Sequence, residues 1–417
     1  MSLNQEIRDF LKADALERFL RYIKVHTTSE ENTGTTPSTK RQFDLAKILK
    51  EELEVLGLQD IILDEHCYVY AKLPSNVSSA SVPICFLAHV DTSDAVSGEN
   101  VKPIIYENYD GSVITYPDNP DLTLSPSDDE LLSASIGEKV ITASGKTLLG
   151  ADDKAGIAEI MAAMAAFRKY PELKHGEVRI CFTPDEEIGQ GTIKIDTEKL
   201  GKYCYTIDGS LPGELEYECF DAMAATITFK GLSVHPGFAK DKMVNALNIA
   251  ARYLASLPEW ETPEHTDDRE GFYHLMTFSG NVEEAKAKLI IRDFEHKLNE
   301  KRVDLLKKLN ETFKVRYPGL KIEMKVEQQY KNMRTVLNDY PEVMAKARKA
   351  IEMAGLESVE HPIRGGTDGA RLSHMGIPTP NIFAGGRLFH SRKEWITESA
   401  IQKAAEVVIL LAGLYAE

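Results

Sequence analysis

The sequence predicts a two-domain α/β protein: a central, mainly parallel sheet with helices on both faces, and a smaller α+β domain inserted into it. Three observations lead there. At 417 residues the chain exceeds what one core usually holds, and at roughly 150 residues per domain it divides into two or three units. Short, nearly continuous apolar runs alternate with helical patterns in the first half, as strands buried on both faces do when helices link them. Near Gly213 the runs change to one-faced alternation, and near Asn332 the first pattern resumes.

The elements follow in order. Ala13 to Val25 places Leu16, Phe19, Leu20 and Ile23 at helical spacing, and a polar loop runs from His26 to Lys40. Residues 41–56 again read as a helix, with Phe43, Leu45, Ile48, Leu49 and Leu53 on one face and a stop near Gly57. The runs 83–88, 178–182 and 203–207 read as buried strands, with an Ala- and Met-rich helix at 155–167 between the first two. From 214 to 330 the succession is a strand at 222–230, a helix at 243–257, strands at 273–282 and 288–292, a helix at 295–313 and a strand at 321–329. That β-α-β-β-α-β order is ferredoxin-like. A helix at 341–354, a short strand at 379–383 and a closing helix at 399–414 complete the chain. The expected plan is a discontinuous larger domain, 1–213 with 331–417, around an inserted domain, 214–330.

Charge and cysteine content exclude several function classes. Lys plus Arg number 49 against 65 Asp plus Glu, a net charge of −16. With no Lys/Arg cluster to offset it, this chain repels phosphate backbones and anionic membranes. The first ten residues carry no apolar secretion signal, and no apolar run approaches the ~20 residues that span a bilayer. The five cysteines contain no CxxC pair and two of them, Cys85 and Cys181, sit in strand-like runs. They read as reduced core thiols, so a cytoplasmic location is expected.

Five segments rich in acids or histidine fall just after predicted strands or at a helix start: His89-Val90-Asp91, Gly150 to Gly156 with Asp152 and Asp153, Asp185-Glu186-Glu187, Asp208, and His390 after Gly385-Gly386. Open α/β sheets bind their ligands at such strand ends. Alone, each has a bland reading: an accidental HxD, a helix cap, a solvated turn, an exposed loop histidine. Together they offer nitrogen and oxygen donors without cysteine, the inventory of a two-zinc site whose carboxylate bridges ions ~3.5–4 Å apart. Oxygen-rich ligands leave Co²⁺ or Mn²⁺ open.

The segments HVDTSD (89–94), GADDKAG (150–156), TPDEEIG (183–189), IDG (207–209) and LFHSRKEW (388–395) resemble the M20 family of metallopeptidases. GLSVHPG (231–237) and RGGTDGARLS (364–373) resemble its tripeptide-aminopeptidase branch, and the likeness spans essentially the whole chain. The resemblance implies removal of the N-terminal residue from short peptides. It implies that His89, Asp152 and Asp208 hold one zinc and Asp152, Glu187 and His390 the other. Asp91 then accepts the far N–H of His89, Glu186 is the general base, and the Asp152-Asp153 peptide is cis-like. On the inserted domain His235 becomes an oxyanion donor, with Asn245 and Arg292 there and Arg364 in the larger domain as weaker substrate-binding candidates. Arg292 would clamp the substrate carboxylate and measure peptide length. The inserted domain is expected to act as a lid and as a possible homodimer surface. Dipeptidase, carboxypeptidase and N-acyl amino acid deacylase activities are the alternatives within this chemistry, and a non-catalytic binding protein is the alternative outside it. The remaining histidines are expected on surfaces or in caps.

Overall fold

The computed structural model describes residues 3–78 and 81–416. The chain forms two compact units, one comprising the residues up to Tyr217 with Val336–His361 and those from Thr367 onward, the other Glu218–Thr335 with Pro362–Gly366. The return of Pro362–Gly366 to the second unit interrupts the expected single segment 331–417. It is secured by backbone: the Ile363 N–H donates to the Glu218 carbonyl (2.8 Å), and the Phe220 N–H to the Ile363 carbonyl (3.2 Å).

The first unit is built on a seven-stranded sheet in the order Gln59–Leu63, Val69–Leu73, Val178–Thr183, Ile84–His89, Tyr203–Gly209, Asn381–Phe383 and Leu215–Glu216. The middle pairings, from Val178–Thr183 across to Asn381–Phe383, are parallel. The outer ones are antiparallel. The sheet is therefore mixed, a correction to the mainly parallel expectation. The cause is local at one edge: Gln59–Leu63 and Val69–Leu73 are joined by a tight turn, and a hairpin can only pair antiparallel. At the other edge Leu215–Glu216 is too short to show a pattern in sequence.

The central strands are buried on both sides. Ile84, Phe86 and Ala88 enter the main core with the helices Gln5–Tyr22, Ala151–Lys169, Pro341–Met353 and Glu398–Leu414. Cys85 and Leu87 face the other way, into a smaller cluster with Cys181, Cys204, Tyr68, Tyr70 and Leu372 of the short helix Asp368–His374. Helices thus cover both faces unequally. The five cysteines are buried, as expected of core thiols. His175 departs from the surface expectation: it is buried, with its ring 4.5 Å from that of Phe167. Two small sheets that short strands hid in the sequence also belong to this unit: a hairpin of Ile114–Tyr116 with Asn119–Leu124, and a sheet of Ile104–Tyr106, Val140–Thr142 and Trp395–Thr397.

The long helix Ala151–Lys169 is almost wholly buried and carries Glu159 in the core, where neither carboxyl oxygen has a hydrogen-bond partner among the described residues. Burial pushes the Glu159 carboxyl well above its ordinary range. The folded state therefore holds this proton at pH values where the unfolded chain has released it. The penalty is absent below the unfolded carboxyl value, grows as pH rises from there, and levels off above the folded one. Glu159→Met, which keeps the length and removes the acid, is expected to stabilise the protein by about 1–3 kcal/mol at neutral pH. Denaturant unfolding at pH 5 and pH 8 checks this: the gain should be larger at pH 8.

The second unit contains, in sequence, Asp221–Lys230, helix Ala246–Leu254, Phe272–Gly280, Glu284–Asp293, helix His296–Arg316 and Lys321–Tyr330. Its sheet is antiparallel throughout, with Asp221–Lys230 between Glu284–Asp293 and Lys321–Tyr330 and with Phe272–Gly280 at one edge. Met223, Ala225, Ile227 and Phe229, alternate residues of one strand, pack against Ile249, Tyr253, Leu306 and Phe313 of the two helices. No helix among the described residues is long and apolar enough to cross a membrane.

Candidate metal centre

The parallel strands end at one edge of the first unit's sheet. His89 is the last residue of its strand, Asp208 the penultimate residue of the next, and Asp185-Glu186-Glu187 follow Val178–Thr183. Asp152 enters from the start of the long helix. Its backbone (φ −82°, ψ 106°) and that of Asp153 (φ −119°, ψ 35°) are non-helical, and the peptide between them is cis. The helical turn thus begins only after the two aspartates, and Asp152 is free to point along the strand ends.

Asp152 offers one oxygen to each of two imidazoles. Its Oδ1 lies 2.9 Å from His89 Nε2 and its Oδ2 lies 3.1 Å from His390 Nε2. Asp208 Oδ1 is 3.5 Å from the same His89 nitrogen, and Glu187 Oε2 is 2.8 Å from the same His390 nitrogen. Two groups bring ligand atoms within 4.8 Å of one another: His89, Asp152 and Glu187, and His89, Asp153 and Asp208. The five expected ligands are therefore gathered in one place. Donor chemistry and an orphaned atom fit a pair of cations: the set is imidazole nitrogen and carboxylate oxygen, and Glu187 Oε1 is buried with no hydrogen-bond partner among the described residues.

The electrostatics point the same way. Burial opposes a charge on His89, but Asp208, Asp152 and Asp91 overcome it and hold the imidazole well above its ordinary value. Hydrogen bonds to Asp152 and Glu187 lift His390 to about 11. Burial, with the Asp152 charge added, raises Glu187 to about 7, against the pull of the two histidines. Burial likewise lifts Glu186 well above the carboxylate range, opposed by His89 and reinforced by Asp208, Asp368 and Glu187. A field this rich in carboxylates draws positive charge, and a bound divalent cation is the largest such charge a site can take.

Buried acids hold the ligands through the backbone. Asp91 is fully buried and accepts the amide N–H groups of Glu186 (3.0 Å) and Glu187 (3.2 Å). His89 Nδ1 lies nearer the Asp91 carbonyl (3.1 Å) than its carboxylate (3.4 Å). The expected carboxylate–imidazole pairing is thus shared with the main chain, and Asp91 spends its oxygens chiefly on the glutamate turn. Asp153 accepts the N–H of His89 (3.1 Å) and of Gly156 (3.2 Å). Asp185, at a left-handed φ of 57°, accepts the Ser38 N–H, the Ser38 hydroxyl and the Gln42 side-chain amide at 2.5–2.7 Å. Glu394 accepts three amides of the 149–152 turn.

Sequence reasoning assigned no role to Asp185 or Glu394. Each lay inside a quoted motif, but their partners are more than a hundred residues away, and nothing local marks such a bond.

His235, Asn245, Arg292 and Arg364 all belong to the second unit. His235 is exposed, and its Nδ1 accepts the Gly237 N–H (3.1 Å). Asn245 caps its helix by accepting the Asn248 N–H (3.0 Å). Arg292 donates from Nη1 to the carbonyls of Met223 and Ile291, with its guanidinium 5.4 Å from the Tyr330 ring centre. Arg364 donates to the carbonyls of Thr266, Asp268 and Glu270 and to the Thr266 hydroxyl, and stacks over Phe220 and Phe272. Its guanidinium braces a loop of its own unit.

A mixed α/β unit whose strand ends gather two histidines around a shared aspartate defines a metallopeptidase class. The model of peptidase family M20/M25/M40 matches residues 148–413, and the chain belongs to the M20 peptidase family. Within it, the chain is 48% identical over 406 residues to Peptidase T of Geobacillus thermodenitrificans, covering 97% of this chain and 99% of that one. Against Peptidase T of Listeria welshimeri the identity is 47% over 408 residues, covering 98% and 100%. Two solved structures share the fold. The aminopeptidase PepT from Bacillus cereus has a TM-score of 0.76 and 23% identity, covering 97% of this chain and 99% of that one. A tripeptidase from Staphylococcus aureus has a TM-score of 0.77 and 23% identity, covering 97% and 98%.

Proposed function

We propose that this protein is a two-zinc aminopeptidase that removes the N-terminal residue from tripeptides. The observation that carries the reading is Asp152, with one carboxylate oxygen on each of His89 and His390. His89, Asp152 and Asp208 would hold one cation, and Asp152, Glu187 and His390 the other. The Peptidase T relatives support a peptide as the substrate. When bound, the cations supply Lewis-acid polarisation and a more acidic water; Co²⁺ or Mn²⁺ also suit this donor set.

The chain's own groups do the remaining chemistry. Glu186, its backbone fixed by Asp91, takes the proton of the attacking water and passes it to the leaving amine. His235 accepts a backbone N–H at Nδ1, so a neutral ring carries its proton on Nε2, the form that donates to a developing oxyanion. Arg292, with Nη1 anchored on carbonyls, presents a guanidinium suited to the substrate carboxylate. The Asn245 oxygen is used as a cap, which leaves its NH₂ for substrate. The second unit is read as a lid and, through its edge strand Phe272–Gly280 with Leu275 and Met276 exposed, as a homodimer surface. Reduced thiols support a cytoplasmic location.

The test is a peptide panel on protein of known metal content. Ala-Ala-Ala should yield Ala and Ala-Ala, N-acetyl-Ala-Ala-Ala should not be cut, and a chelator should abolish turnover until Zn²⁺ is restored. Preference for dipeptides or for N-acyl amino acids would replace this reading with a dipeptidase or deacylase.

A further inference from the structure

Glu394 is 1% exposed, an acid removed from water. Its Oε2 accepts the N–H groups of Leu149 (2.7 Å) and Gly150 (2.9 Å), and its Oε1 accepts the N–H of Asp152 (3.1 Å). Gly150 lies at φ 84°, in the left-handed region, which turns successive amides toward one point and forms an anion-binding concavity. The occupant of that concavity comes from the chain itself.

Glu394 shares a loop with His390. The loop is closed at its base by paired backbone bonds: the Arg387 N–H donates to the Trp395 carbonyl (2.8 Å), and the Trp395 N–H to the Arg387 carbonyl (3.1 Å). The Arg387 guanidinium and the Trp395 indole N–H both donate to Asp129, which fastens the base a second time. One braced loop therefore does two things: it presents His390, and it grips the backbone of the aspartate that faces His390.

We infer that Glu394 is a positioning residue for the metal centre, setting where Asp152 stands relative to His390 and hence how tightly the second cation is held. The inference rests on the two-cation reading above. A carboxylate is suited to the task because it is acceptor-only, with room for three N–H donors. An amide at this position must turn its NH₂ toward at least one of them. Side chains that orient metal ligands in this way typically contribute about 10–100-fold in affinity.

The experiment compares wild-type protein, Glu394→Gln and Glu394→Asp, each stripped of metal and titrated with Zn²⁺ against a chromophoric chelator. Visible absorption of the Co²⁺ forms and steady-state kinetics follow on the same samples. The wild type should bind two equivalents. Glu394→Gln should bind the second about 10–100-fold more weakly, with an altered Co²⁺ spectrum and a lower kcat at nearly unchanged KM. Glu394→Asp keeps the charge but is one methylene short, so it should lie between. Two equivalents at wild-type affinity with a wild-type Co²⁺ spectrum in Glu394→Gln would overturn the inference and leave the proposed function standing. If Glu394→Gln does not fold, wild-type affinity in Glu394→Asp does the same. A wild-type protein that binds no cation overturns both readings.

Discussion

Glu186→Gln is expected to lower kcat/KM by about 10²–10⁴-fold, with KM and metal content close to wild type. The glutamine keeps the shape, and the backbone bond to Asp91 at residue 186 is untouched. What it loses is the ability to accept and return a proton. The neighbouring change, Glu187→Gln, should behave differently. Glu187 faces His390 and carries a buried oxygen with no hydrogen-bond partner among the described residues, so its loss should show first as a lost cation. Metal analysis and kinetics on one preparation of each variant separate the roles. Retention of more than a tenth of the activity in Glu186→Gln would remove it as the base.

Gly156→Ala is expected to be the most damaging single methyl group in the first unit, costing about 3 kcal/mol or more. A Cβ at Gly156 would collide with the backbone carbonyl oxygen of Ile207 and press on both carboxylate oxygens of Asp153. Neither neighbour can yield cheaply. Ile207 sits in a central strand beside Asp208, and Asp153 is tied to the N–H of His89. The helix would have to move off the sheet, carrying Asp152 with it. Denaturant unfolding should show a lower midpoint, and any folded fraction should bind metal poorly. An unfolding midpoint equal to wild type would show that the helix–sheet distance is softer than this packing implies.

The readable part of this protein was the part with continuous burial. Pro83 to Ala88 is apolar because both faces of its strand are covered, and the same holds for the strands before Glu186 and Asp208. Those strands end together, so the acids just beyond them converge, and the family resemblance names which of them are the candidate ligands. The sheet edges were illegible because Gln59–Leu63 is largely exposed and Leu215–Glu216 is minimal. The two small sheets built from residues 104–142 and 395–397 escaped for a related reason, since several of their strands are only three residues long. The acids that hold the site were hidden by distance: Asp185 meets Ser38 and Gln42, and Glu394 meets the turn at Gly150. A carboxylate next to Lys393 reads as solvated until the fold supplies its amides. At Arg364 the motif suggests substrate, and the fold adds carbonyls of its own unit as partners, which no local pattern announces.

The acids at Glu394, Asp153 and Asp91 link successive ligand-bearing turns, from residue 394 to 152, from 153 to 89, and from 91 to 186 and 187, and His390 meets Glu187 to complete the circuit. During synthesis most of these anchors leave the ribosome early, but the circuit stays open until residue 394 has been made. The arrangement of these turns is therefore set by the last segment of the first unit and not by any local stretch of chain.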